Sequence, residues 1–241
     1  MLKFIGKLFA LAFGQQDRTG NVFHPAGKCP ECGSKLFKTG SVGWGERPRE
    51  PKQGSKNPDG SPGVSPHQRT GDKEEGSAWY CPNLDCPAQI RARIEHWCSR
   101  DAMDIAGGDA ALVAQLVGHG LARDVAELYR LRIAEIAALP GIDKNSAKNF
   151  FDAVAASKKR EAWRALIGLS IPQVGVEEAK SLCRHFTDVD NALAADVERL
   201  MKADGISENV ARSVAQWHSD SVNGRLVKRL DKAGVNLKSE L

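Results

Sequence analysis

The stretch CPNLDCPAQIRARIEHWC, residues 81–98, joins two kinds of structure in a single run. Cys81 and Cys86 bracket a Pro-Asn-Leu-Asp turn. Pro87 stands where a helix can begin, because its missing N–H is one of the donors that a first turn leaves unsatisfied anyway. From there Ile90, Ile94 and Trp97 recur at helical spacing and form one apolar stripe. A thiol pair opening straight into an amphipathic helix sets two questions. The cysteines need partners upstream, and the helix needs something to pack against downstream.

The partners lie in CPECGS, a Cys29-x2-Cys32 turn followed by Gly33. Such a turn aims two thiolates at one ion, and glycine supplies the positive φ it needs. Cys29, Cys32, Cys81 and Cys86 together give four sulfurs, which suit a structural Zn²⁺ and leave no open position for catalysis. His24 and His96 read as surface or packing histidines. Cys98 and Cys183 sit inside helical patterns and read as small buried hydrophobes. Between the two cysteine pairs, residues 39–77 are dominated by Gly, Pro and Ser. That composition cannot bury a core, and a long insertion costs a clamped site little because loop entropy grows only logarithmically. A flexible loop inserted in a zinc ribbon is expected there.

Downstream, the helical pattern repeats with short turns between helices. The turns are IAGGD (105–109), LPGID (139–143), IPQVG (171–175) and ADGIS (203–207). Their third residues, Gly107, Gly141, Gln173 and Gly205, are spaced by 34, 32 and 32. This is the sequence form of tandem helix-hairpin-helix units. A tight turn at a helix N-terminus presents backbone amides to an anion, and the helix dipole favours it. The residues expected to meet DNA phosphates are Gly107, Gly141, Gly175 and Gly205, with Lys144, Lys148, Lys180 and Arg212 on the helices that follow. Such contacts would position the backbone without reading bases.

Composition bounds the reading more loosely. The 241 residues carry a net charge of +4, with 41% hydrophobic and 6% aromatic side chains. Residues 1–87 hold 12 basic and 9 acidic side chains and residues 88–241 hold 22 and 21, so charge alone does not nominate the helical half as a nucleic-acid binder. No apolar run is long enough for a membrane span. In MLKFIGKLFALAFG, residues Phe4, Ile5, Leu8, Phe9, Ala12 and Phe13 would share one face of a terminal helix. Docking on the domain is the first reading of that helix, a partner or membrane surface the second, and a signal peptide the third. Cysteine clusters of this kind fit a reducing cytoplasm. The expected organisation is an N-terminal apolar helix (1–20), a four-cysteine zinc finger (21–87) and a mainly α domain with four hairpins (88–238).

These motifs resemble a known family. CPECGS, then CPNLDCPAQIRARIEHWCSRDAMDI, then four hairpins, is similar to the C-terminal half of bacterial NAD-dependent DNA ligases, over roughly residues 21–237. The resemblance implies a zinc finger joined to a helix-hairpin-helix domain that grips duplex DNA around a nick in the bacterial cytoplasm, at the nucleoid. The family's chemistry needs a lysine nucleophile in a Lys-x-Asp-Gly motif. The nearest string, KNPDG (56–60), has one residue too many and lies in the loop, so no NAD is expected for this chain alone. The family's OB-fold and BRCT domains find no counterpart in these residues either. The hairpins depart from the family at the fifth turn position, where Asp109, Asp143 and Ser207 replace the usual glycine and only Gly175 keeps it. Asp109 and Asp143 are expected as helix N-caps, leaving DNA contact mainly to the third and fourth turns.

Three functions are consistent with this reading. The first is a non-catalytic, sequence-nonspecific protein for duplex or nicked DNA, serving repair or replication. The second is the DNA-binding part of a split ligase, with a separate adenylation subunit as partner. The third is a protein-interaction scaffold that has lost DNA binding.

Overall fold

The structure, a computed structural model, describes residues 27–38 and 79–239. The apolar helix expected at 1–20 and the loop expected at 39–77 fall outside those residues. Strands β1 (Phe37–Lys38) and β2 (Trp79–Tyr80) pair antiparallel, with Phe37 opposite Tyr80 and Lys38 opposite Trp79. An isolated bridge between Lys28 and Lys35 closes the first cysteine turn.

The remainder is helical. Helix α1 spans Pro87–Cys98, α2 Ala110–Gly118, α3 Ile133–Ala137, α4 Lys144–Ser157 and α5 Ala162–Gly168. Helix α6 spans Val176–His185, α7 Val189–Ala194, α8 Val197–Leu200, α9 Glu208–Ser219 and α10 Ser221–Lys232. A 3₁₀ turn, Glu127–Arg130, precedes α3. Four hairpins pack as pairs: α1 on α2, α3 on α4, α5 on α6 and α8 on α9. These are the four units that the turn spacing predicts.

The hairpins are not equivalent, and the difference has a period of two. Asp104 and Ser170, each immediately before the apolar residue that opens a turn, have φ of +49° and +55°. Residues Ala138 and Lys202 before the second and fourth turns are not in that region. The leading helices differ in the same way: α1 and α5 have 12 and 7 residues, α3 and α8 only 5 and 4. The architecture is therefore a doubled two-hairpin unit. Single-turn spacing hides this, because 34 and 32 look like one period.

One continuous core joins the units. Ile94, Trp97, Met103, Leu116, Phe150, Leu166 and Leu182 are fully buried in it, each contributing about 1.5–3 kcal/mol of transfer free energy. Trp97 holds the middle. Its indole N–H donates to the Tyr129 hydroxyl at 3.0 Å, the hydroxyls of Tyr129 and Ser157 are 3.0 Å apart, and Ser157 donates to the Val154 carbonyl at 2.8 Å. Every buried polar atom of that relay is thereby satisfied. Two glycines permit the packing. A Cβ at Gly168 would stand 2.5 Å from Trp97, and one at Gly108 would stand 2.7 Å from Cys98. The last helix is tied back by Arg229, which reaches Asp124 at 2.5 Å and Glu127 at 3.6 Å.

Candidate metal centre and nucleic-acid interface

The four cysteines come together. Their sulfurs all lie within 4.8 Å of one another, with Cys29 to Cys86 at 3.7 Å and Cys32 to Cys81 at 3.5 Å. A tetrahedral ion with metal–sulfur bonds of ~2.3 Å needs sulfurs roughly 3.8 Å apart, close to the two short separations seen here, so the donor set suits such an ion. Gly33 has the left-handed φ, +73°, that the first turn demands. There the Gly33 N–H donates to the Cys29 carbonyl at 2.8 Å and the Cys29 N–H to the Ser34 carbonyl at 2.7 Å. Cys29, Cys81 and Cys86 are buried and Cys32 is half-buried.

The electrostatics divide the set. Hydrogen bonds from the Ser34 side chain and backbone hold the Cys32 thiol down at about 6. Burial pushes Cys81 up to about 12. Burial also raises Cys86, opposed by the backbone N–H groups of Gln89 and Ala88 at the start of α1. A cation beside the sulfurs is the charge that would hold all four as thiolates. Cys86 is both a sulfur donor and the N-cap of α1, so the site and the helical domain share a residue. Arg91 on α1 reinforces the joint through an ion pair to Glu31 at 2.7 Å.

The other cysteines and histidines stand apart. Cys98 and Cys183 are buried in the helical core, 5% and 6% exposed. His96 lies within 2.8 Å of the Ile167 carbonyl through Nε2, a packing histidine whose pKa burial lowers. His24 lies outside the described residues.

The turns keep their predicted register. Gly107, Gly141 and Gly205 have φ of +82°, +75° and +72°, and Gln173 takes the same left-handed conformation at +65°. All four are exposed. At Gly141 and Gly205 an added Cβ would meet nothing within 4 Å, so conformation rather than crowding calls for glycine there. The fifth residues are helix N-caps. The Asp109 carboxylate accepts from the Leu112 N–H at 2.9 Å, and that of Asp143 from Asn145 at 2.7 Å and Ser146 at 3.0 Å. The Ser207 hydroxyl accepts from the Val210 N–H at 3.4 Å. Gly175 has no side-chain cap; the Glu178 carboxylate accepts from its N–H at 3.0 Å.

The basic candidates are distributed unevenly. Lys144 is exposed beside the second turn. Lys148 pairs with Asp152 at 2.5 Å and Arg212 with Glu208 at 2.6 Å, both within their own helices. Lys180 leans over the Trp163 ring, 5.1 Å from its centroid. Gly108 and Gly168 were not legible as close-approach glycines, since a helix-terminal or turn glycine carries no sign of what packs on it.

Comparison with known proteins agrees with this geometry. The helix-hairpin-helix motif matches residues 164–227, which contain the third and fourth turns. The DNA ligase of Aquifex aeolicus is 41% identical over 167 residues, 69% of this chain and 23% of the ligase. This chain is a relative of DNA ligase. The Hydrogenobaculum DNA ligase is 36% identical over 87% of the chain and 25% of the ligase, and that of Syntrophobacter fumaroxidans 33% identical over 91% and 28%. The ligase-related chain thus spans about a quarter of the length of the relatives it matches. Among the described residues no helix is long and apolar enough to cross a membrane.

Proposed function

We propose that this chain is a zinc-held module that grips the sugar-phosphate backbone of duplex or nicked DNA, without sequence preference and without joining strands by itself. The observation that carries the reading is the set of four exposed left-handed turns at a spacing of 34, 32 and 32, each opening a helix. Exposed backbone amides at helix N-termini are suited to phosphate oxygens, and phosphate contacts fix position without encoding sequence. Zn²⁺ is the ion that four converging thiolates suit best. It would clamp the first cysteine turn to the start of α1, and it supplies rigidity rather than chemistry. The carboxylates of Asp109 and Asp143 cap α2 and α4, and the Glu178 carboxylate takes the Gly175 N–H, whereas the fourth turn is capped by the neutral Ser207 hydroxyl, which supports stronger contact at Gly205. A reducing bacterial cytoplasm suits such a module.

The test is binding of the full chain to nicked, gapped, intact and single-stranded DNA, with and without a metal chelator. Nicked and intact duplex should bind, and chelation should weaken both. No binding to any duplex at low salt would defeat the proposal.

A second reading has its own support: the matched relatives are DNA ligases, of which this chain spans about a quarter. The module would then serve an adenylation domain with its own Lys-x-Asp-Gly nucleophile, and NAD would be bound there. Addition of the chain to such a domain should then raise nick sealing; an unchanged rate would remove this reading.

A further inference from the structure

A cavity of about 280 Å³ opens between the end of α4, the start of α5, the outer side of α6 and the C-terminal segment. Its lining includes Lys159, Lys180, Arg184 and Lys238, with Glu161 as the single carboxylate among the described residues and Trp163 as an aromatic wall. We propose that this cleft is a second phosphate-binding site, separate from the hairpin turns, taking phosphate groups from a nucleic-acid backbone or from a small phosphorylated molecule.

Four observations carry the proposal. Among the described residues four cations share a small cleft with one carboxylate, and that carboxylate is already held by Arg164 at 3.0 Å. Among the described residues Lys159, Arg184 and Lys238 make no ion pair. Lys180 has only Glu177, at 3.9 Å. Lys180 and Arg184 stand four residues apart on α6, a like-charge arrangement that destabilises a helix unless an anion is shared.

The backbone that carries Lys238 is also held in place. Lys238 rides on a segment fastened from two sides: Asn236 N–H donates to the Lys158 carbonyl at 2.8 Å, Val189 N–H to the Leu237 carbonyl at 2.8 Å, and Ser239 N–H to the Thr187 carbonyl at 3.0 Å. Neighbouring charges have other tasks. Arg160 pairs with Asp104 at 2.6 Å, and Lys158 lies over the Tyr129 ring, which leaves Lys159 to the cleft. The volume lies just under the range of about 300–1,000 Å³ typical of drug-sized ligands, which favours a phosphodiester or pyrophosphate group over a bulky ligand. Arg184 lies nine residues beyond Gly175, roughly 13 Å along the helix axis, so the cleft is a different place from the third turn.

The proposal does not rest on DNA binding by the turns. The full metal-loaded chain, isotope-labelled, is titrated with pyrophosphate in one arm and with a short intact duplex in the other. Shifts are followed at the Trp163 indole and at Lys180, Arg184 and Lys238. The double variant Arg184→Glu/Lys238→Glu is compared with Lys228→Glu/Lys232→Glu, an equal charge change on α10 outside the cleft. Saturable shifts with pyrophosphate identify a small phosphorylated ligand; shifts with duplex alone identify a nucleic-acid backbone. In either case the cleft variant should lose about fivefold or more in affinity and the control much less. Absence of saturable shifts at these residues in both arms, or equal losses in the two variants, overturns the proposal. Duplex binding that persists with an empty cleft would leave the hairpin reading standing.

Discussion

Glycine serves two distinct purposes in this chain, and substitution separates them. At Gly141 the backbone is left-handed and the space beside it is open. Gly141→Ala is expected to cost about 1–2 kcal/mol from conformation alone. At Gly108 an added methyl meets the Cys98 Cβ at 2.7 Å. Gly108→Ala forces α1 and the first turn apart, with an expected cost of about 1–3 kcal/mol. Chemical denaturation measures both; a harmless Gly108→Ala would show that the contact is not limiting. The turn glycines were legible because a repeated position carries information that one residue does not. The crowded glycines were not, because their neighbours are distant in sequence. Gln173 was legible as a departure from the repeat, and its left-handed φ of +65° shows that the turn imposes its geometry on a residue that disfavours it. At the cysteines the spacing sufficed: two short turns with converging thiols admit few arrangements other than one site.

At the scale of the element, the N-caps decide how each hairpin meets an anion. Asp109 and Asp143 stabilise α2 and α4 but place a carboxylate at the mouth of the first two turns. The double variant Asp109→Ser/Asp143→Ser keeps an oxygen cap and removes the charge. DNA affinity should then rise about twofold to fivefold per turn if those turns face phosphates. Unchanged affinity in fluorescence anisotropy would mean that they face elsewhere. The hydrogen bonds of Ser146 and Asn145 lower the Asp143 pKa. Its stabilising contribution is therefore complete above the ordinary carboxylate range and is lost as pH falls through the lowered folded value. Helix α1 carries the opposite kind of group. Burial lowers the His96 pKa, so its contribution is complete above the unfolded value of about 6.5 and is lost as pH falls below it. Thermal melts of the wild type should fall as pH drops below about 6.5, and His96→Gln should flatten that slope. An identical slope in the variant would assign the pH dependence to other groups. Helix positions were legible from apolar period and turn residues, as α9 illustrates by opening directly after the fourth turn, ADGIS (203–207). The grouping of hairpins into two doubled units was not, since it lies in backbone conformation at Asp104 and Ser170 and in the lengths of α1, α3, α5 and α8.

Across the whole molecule, the metal site and the hairpins depend on one joint. Cys86 ends the cysteine cluster and begins α1, and Trp97 on α1 anchors the core of the doubled unit. Cys81→Ser should abolish stoichiometric zinc and lower the melting temperature of the cysteine cluster more than that of the helical core. Metal analysis together with calorimetry reads both effects. Lys180 shows what sequence alone leaves out: it follows the third turn in the chain, and in the fold its ammonium lies over the Trp163 ring, a contact that no sequence spacing announces. The central claim is that the turns hold DNA through its backbone. Its most direct test is the salt dependence of binding to a nicked duplex. If three or four phosphates are engaged, log K should fall linearly with log salt with a slope of about −2.7 to −3.6, and the slope should be the same for duplexes of unrelated sequence. A slope near zero, or tight binding confined to one sequence, would contradict it.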